Sequence, residues 1–167
     1  MKDKEFKKLI DNMVVIVDTR EQKNQHIITY LINNKIPYVK EKLESGDYSV
    51  RFPNYPEYDL CMIVERKNSL TEIAGNFTKG RDRFVNEFER TDSPIHIVVE
   101  SATFKKLVNG SYRSEFSPKA FMASLVTWSC RYNCPIWFAE IGESPLLIYS
   151  ILYYGTREKF IEKNLDN

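Results

Sequence analysis

Residues 46–67 read GDYSVRFPNYPEYDLCMIVERK, and this stretch decides how the rest of the chain is read. Tyr48, Val50 and Phe52 alternate with Ser49 and Arg51, the period of a strand with one face buried. Pro53-Asn54-Tyr55-Pro56-Glu57 is a run of turn formers. Leu60 to Val64 is an unbroken apolar run, a buried strand, and Glu65-Arg66-Lys67 follows it without a gap. The two strands form an antiparallel hairpin. If Phe52 pairs with Asp59, Asp47 lies opposite Val64; a one-residue bulge puts it opposite Glu65 itself. Opposed residues share a face, and Lys67 shares that of Glu65 by the period of two. The hairpin therefore assembles Asp47, Glu65 and Lys67 at one sheet edge.

Two carboxylates a few ångström apart repel each other and do not both ionise cheaply. A divalent cation resolves the conflict. Mg²⁺ takes hard oxygen ligands and keeps several waters, so two carboxylates suffice as its protein ligands. Such an ion activates water and stabilises charge developing on a phosphate. Lys67, a compact cation, orients the water or neutralises the oxyanion. This is the chemistry of phosphodiester hydrolysis, with Asp47 and Glu65 as metal ligands. The competing reading is a hairpin with surface charges and a Glu65–Lys67 pair. Against it, three charges stand directly after five apolar residues, at the end of a strand that reads as buried.

Working outward, Met13 to Asp18 (MVVIVD) is a second apolar run, suited to a central strand. His26 to Lys35 has Ile27, Ile28, Leu31 and Ile32 at helical spacing. Tyr38 to Leu43 alternates, with Val39, Glu41 and Leu43 on one face. Phe84, Val85 and Phe88 mark a helix, and Ile95 to Val99 a further buried strand. Ser117-Pro118 is an N-cap with Pro at the first helical position, opening a helix with Phe121, Leu125 and Trp128. Pro135 to Ala139 is a short strand, and Ser144-Pro145 repeats the cap signature before a helix carrying Leu147, Ile148, Ile151 and Leu152. Helices interleaved with strands, plus one hairpin, give an α/β fold with a mixed sheet.

The chain of 167 residues is sized for one domain. With 43% hydrophobic and 28% charged residues it reads as globular rather than disordered. Its longest apolar run, Pro145 to Tyr154, is too short to span a membrane, and Met1-Lys2-Asp3-Lys4-Glu5 opens no signal peptide. A formal net charge of +1 argues neither for nor against nucleic acid, because a local patch can neutralise phosphates. Cys61, Cys130 and Cys134 lack the partners of a zinc site and read as free thiols of a reducing, intracellular compartment; the cytoplasm is expected for a bacterial or viral source. No Ser/His/Asp order, GxGxxG or Walker pattern is present.

Val17-Asp18-Thr19-Arg20-Glu21, Gly46-Asp47-Tyr48 and Val64-Glu65-Arg66-Lys67, in this order and spacing, resemble the nuclease domain of the XPF family. That family's signature is GD, a variable gap, ERK, three residues, then Asp. The resemblance implies a restriction-endonuclease-like three-layer α/β/α fold with a central mixed sheet. It implies a Mg²⁺- or Mn²⁺-dependent DNA endonuclease that cuts branched, flap or junction DNA. Asp47 and Glu65 would bind metal, Asp18 would add a third carboxylate, and Lys67 would be catalytic. Arg66 and Arg20 would contact phosphate or hold the carboxylates, and Glu21 belongs to the same motif as a possible site residue. The last signature position falls on Thr71, with Glu72 beside it as a possible substitute. The chain reads as one nuclease domain over 1–167, with 1–12 as an N-terminal extension and no helix-hairpin-helix or helicase domain. Two alternatives stand: a sequence-specific restriction-type endonuclease, and a non-catalytic DNA-binding or dimerisation module.

Three further features bear on partners. Asn76 to Arg83 reads as a basic loop whose Lys79, Arg81 and Arg83 would track a DNA backbone. His26 reads as a surface residue and His96 as a core or edge residue. Phe121, Leu125, Trp128, Ile148, Ile151, Leu152, Tyr153 and Tyr154 are more apolar surface than one helical stripe needs, which points to a homodimer.

Overall fold

Val14–Asp18 (β1) is buried on both faces: Val15 and Val17 join the core under α1, α2 and α7, and Ile16 on the other face is fully buried as well. The computed structural model describes residues 2–165. In chain order, Lys2–Ile10 (α1), β1, Gln25–Asn33 (α2), Tyr38–Glu41 (β2) and Tyr48–Arg51 (β3) are followed by Ile63–Lys67 (β4), Leu70–Phe77 (α3) and Arg81–Glu89 (α4). Ile95–Glu100 (β5), Phe104–Val108 (α5), Pro118–Tyr132 (α6), Ile136–Ala139 (β6) and Ser144–Leu165 (α7) complete the fold.

The six strands form one sheet in the order β2-β1-β3-β4-β5-β6. β3 runs antiparallel to both neighbours, and the other pairings are parallel. The C-terminal ends of β1 and β4 therefore meet the start of β3 at one edge, the edge where open parallel sheets carry their sites. One core joins α1, α2 and α7 to Val15, Val17, Tyr48, Val50, Val64 and Val98. The other joins α3 to α6 with Ile63, Ile95, Ile97 and Val99. Alternate residues of the same strands feed the two cores, so the architecture is the expected three-layer α/β/α.

The structure settles one open alternative of the sequence reading and shifts several other features. The hairpin register pairs Tyr48 with Val64, so the shifted alternative holds and Asp47 falls opposite Glu65. Leu60, expected inside β4, sits in a left-handed turn (φ 54°), and the strand starts three residues later. The segment expected to be an extension forms α1, whose Leu9 is buried and whose Phe6 packs edge-on against Tyr153. The expected basic loop shrinks to the turn 78–80, because Asn76 belongs to α3 and Arg81 to Arg83 belong to α4. At the start of α7, Ser144 is buried and its hydroxyl donates to Glu100 instead of capping from outside.

The apolar set expected to pair two chains lies on opposite faces of the sheet. Phe121, Leu125 and Trp128 fill one core; Ile148, Ile151 and Leu152 fill the other. Of the eight, Tyr154 is the exposed one and Tyr153 is half-buried. The three cysteines are free, with Cys134 buried and Cys130 exposed. Among the described residues no helix is long and apolar enough to cross a membrane.

Candidate active site

Gly46 sets the approach of β3 to β4. Its φ is +73°, and a Cβ there would collide with the Ile63 side chain and lie 3.1 Å from the Val64 carbonyl oxygen. Only glycine takes that backbone at no steric cost. The next residue is locked from both sides: Asp47 N–H donates to Val64 O (2.9 Å), and Asp18 N–H donates to Asp47 O (2.8 Å). The Asp47 carboxylate then accepts from Arg66 N–H through Oδ2 (2.8 Å).

Asp47, Glu65 and Lys67 share the sheet face covered by α3 and α4 and line one cavity of about 370 Å³. Lys67 Nζ donates to Glu65 Oε1 at 2.5 Å and lies 5.1 Å from the centre of the Phe84 ring. Among the described residues, Asp47 Oδ1 and Glu65 Oε2 have no protein hydrogen-bond partner. Burial pushes the Asp47 carboxyl well above its ordinary range, and the charges of Glu65 and Glu21 push the same way. Burial likewise raises Glu65, to about 7, although Lys67 pulls it down. Burial alone would lower Lys67, but the charge and hydrogen bond of Glu65 outweigh it and hold the ammonium above its ordinary value. Two carboxylates that strain to ionise, each with a spare oxygen on one cavity, are a donor set suited to a hard divalent cation.

The cavity also takes Arg20, Arg83 and Arg90 at its rim, and Glu44, Glu72 and Glu87. Of the three cations expected on the basic loop, Arg83 is the one that lines it. Arg81 lines a separate hollow between α4 and α6, and Lys79 is exposed in the turn. Arg90 and Glu87 were not legible in the sequence: which side of α4 meets the sheet edge is a matter of tertiary packing.

Asp18, expected as a third metal ligand, is occupied. Its Oδ1 accepts from Arg20 N–H and Nε (both 2.8 Å), and its Oδ2 from Arg20 Nη2 (3.0 Å) and Leu43 N–H (2.6 Å). These bonds overcome its burial and hold its pKa below the ordinary value. Among the described residues no three His, Cys, Asp or Glu side chains stand close enough to hold one ion as they are. Arg20 thus fastens Asp18 and the Leu43 carbonyl, at 2.7 Å, while also bordering the cavity.

Arg66 projects to the other face. Its guanidinium is 1% exposed and pairs with Glu21 and with Glu100 (2.6 Å), with Asn68 Oδ1 and the Gln22 carbonyl completing its bonds. Glu100 also accepts from Ser144 Oγ (2.5 Å) and meets His26 Nε2 at 2.7 Å. His26 is therefore part of this buried network rather than a plain surface residue. His96 is stacked on Trp137 and accepts from its indole N–H at 3.1 Å. Glu100 had a readable signal: it ends an apolar strand run, as Glu65 does.

The last signature position itself, Thr71, supplies no acid, and Glu72 beside it borders the cavity while bonded within its own helix start. Thr71 Oγ1 accepts from Arg113 N–H (3.0 Å). Glu72 caps α3: its N–H donates to Ser69 Oγ, and its Oε2 accepts from Asn68 N–H (2.8 Å) and Nδ2 (2.9 Å).

Comparisons with known proteins bear on the family and the fold. The family profile described as the ERCC4 domain matches residues 17–143. Among solved structures, XPF from Aeropyrum pernix superposes with a TM-score of 0.65 at 21% identity, over 91% of this chain and 69% of that one. XPF from Aeropyrum pernix in complex with DNA gives 0.66 at 21% identity, over 87% and 66%. No curated protein matches the chain in sequence.

Proposed function

The chain belongs to the ERCC4 domain family, as an XPF-type nuclease domain, and from that premise we propose that it is a divalent-metal-dependent DNA endonuclease selective for branched, flap or junction DNA. The observation that carries this reading is that Asp47, Glu65 and Lys67 share one cavity whose rim holds Arg20, Arg83 and Arg90. The DNA complex of the similar Aeropyrum pernix protein supports the substrate class.

Asp47 and Glu65 would hold Mg²⁺ or Mn²⁺. Such an ion, when bound, polarises the phosphoryl oxygen and makes an acidic water available. The chain's own groups do the rest. The Glu65 carboxylate fixes Lys67 Nζ, which keeps its proton and donates to a non-bridging phosphate oxygen as charge builds there. Arg20, Arg83 and Arg90 take the neighbouring phosphates of the strand. Arg66 serves as a positioning residue: its main-chain N–H orients Asp47, while its side chain is anchored on the far face. An intracellular setting goes with a DNA substrate and three free thiols. For assembly we propose a pair of identical chains, in contact through the hollow lined by exposed Tyr154 and Trp137.

The test is a set of labelled flap, fork, four-way and plain duplex DNAs incubated with Mg²⁺ or Mn²⁺. Cleavage confined to branched substrates is expected. Cleavage of plain duplex at one sequence would favour the restriction-type reading. No cleavage of any substrate with either ion would leave a binding module.

A further inference from the structure

We propose that Glu87 is the third carboxylate of the cation-binding cavity, supplied by α4 instead of by the segment after Glu65-Arg66-Lys67. The inference rests on the reading of Asp47 and Glu65 as the ligands of a divalent cation. Glu87 lines the same cavity as both. Its Oε2 is buried without a hydrogen-bond partner, and among the described residues its carboxylate enters no hydrogen bond or ion pair. Removing such an oxygen from water without a partner is unfavourable. A cation in the cavity supplies what the folded chain withholds.

The backbone around Glu87 is fixed for this role. Ser45 Oγ donates to the Glu87 carbonyl at 3.1 Å, which ties α4 to the loop leading into Gly46 and Asp47. One turn earlier, Phe84 stacks on Trp128 with ring centres 4.7 Å apart, which fixes the roll of the helix. The rival acids differ from it: Asp18 is committed to Arg20 and Leu43 N–H, Glu72 holds its cap through Oε2, and Glu44 is exposed to water at the rim. Thr71, where the last signature carboxylate would stand, has none. Because no three acids among the described residues stand close enough to share an ion as they are, Glu87 would reach a bound ion through one of its waters. Mg²⁺ retains several waters, and carboxylates that orient a metal's ligands set its affinity.

The experiment is calorimetric titration of Mn²⁺ into the DNA-free protein, with thermal unfolding measured in metal-free buffer. The parent is compared with Glu87→Gln, Asp47→Asn and Glu89→Gln, the last an exposed acid on the same helix. Glu87→Gln is expected to weaken Mn²⁺ binding about 10–100-fold and to raise the metal-free melting temperature, because an unpaired charge is gone. Glu89→Gln should change neither. Parental affinity in Glu87→Gln alongside lost binding in Asp47→Asn overturns the role of Glu87 alone. A fall in the melting temperature of Glu87→Gln also overturns it, since the residue would then be structural. Parental binding in Asp47→Asn, or no binding by the parent, overturns the cation reading beneath it.

Discussion

Glu65, Arg66 and Lys67 are consecutive, yet they enter two opposite chemical environments. Arg66 turns toward α2 and α7, where Glu21 and Glu100 neutralise it and each guanidinium nitrogen finds an acceptor. Glu65 and Lys67 turn toward α3 and α4, where Asp47, Glu65 and Glu87 outnumber the one buried ammonium. Both sites consist of the same kinds of buried charge. One is closed by its own partners and holds the sheet edge together. The other is left short of positive charge beside a cavity. A buried ion network with satisfied bonds is architecture; one with spare carboxylate oxygens on an opening is suited to chemistry.

The contrast breaks most directly by substitution on each face. Asp47→Asn or Glu65→Gln should lower single-turnover cleavage by roughly 10²–10⁴, the loss of several kcal/mol of transition-state stabilisation, with the metal-free melting temperature held or raised. Arg66→Met should do the reverse in kind. It leaves Glu21 and Glu100 buried without the guanidinium that neutralises them, at about 3–5 kcal/mol of stability in denaturant unfolding. Adding Glu21→Gln and Glu100→Gln should recover part of that. If Arg66→Met melts like the parent but does not cleave, the far network is part of the reaction and the division between the faces is wrong.

The near face was legible in the sequence because its logic is local. A hairpin and a period of two suffice to bring Asp47 to Glu65 and Lys67. The same period sends Arg66 to the opposite face, so its burial was readable too, although the motif groups all three together. Asp18 was readable only in part: Arg20 was expected to contact phosphate or hold the carboxylates, but the carboxylate is also taken by the main chain of Leu43, across a loop whose path no periodicity encodes. Glu87 and Arg90 depend on the roll of α4, set by the stack of Phe84 on Trp128 from a helix far along the chain. The sheet order, with β3 reversed among parallel neighbours, likewise needs tertiary information.

A pH series sharpens the comparison without touching the far face. In the metal-free protein burial pushes the Glu65 carboxyl up to about 7 and the Asp47 carboxyl well above its ordinary value. Over the range from about 4.3, the ordinary glutamate value, to about 7, the folded chain binds more protons than the unfolded one. Stability should therefore be greatest at the acid end of this window and fall as pH rises through 7. Burial lowers His96, which acts in the opposite direction, so the difference between parent and Glu65→Gln is the quantity to follow. Glu65→Gln should flatten the decline, and saturating Mg²⁺ should flatten it in the parent. A parent whose stability rises with pH as steeply as that of Glu65→Gln would mean that Glu65 is ionised and content in its site.

The rim should respond more weakly, through the salt dependence of DNA binding. Each phosphate contact contributes about 0.9 to the slope of log affinity against log salt. Arg83→Ala with Arg90→Ala should reduce that slope by about two contacts. Lys79→Ala with Arg81→Ala should reduce it less, because neither residue borders the cavity. Equal reductions would return the recognition surface to the whole segment from Asn76 to Arg83.

Glu72 gives the smallest effect, and it separates two roles that the cavity alone leaves together. Its carboxylate borders the cavity but accepts from Asn68 N–H and Nδ2 at the start of α3. A capping role tolerates glutamine, whose amide oxygen accepts the same bonds; a ligand role depends on the charge. Glu72→Gln should therefore keep both cation affinity and stability, while Glu72→Ala should lose about 0.5–2 kcal/mol of stability with affinity unchanged. A loss of Mn²⁺ binding in Glu72→Gln as large as that in Glu87→Gln would make Glu72 a second acid of the cavity, and the shortfall of positive charge on the near face would be greater still.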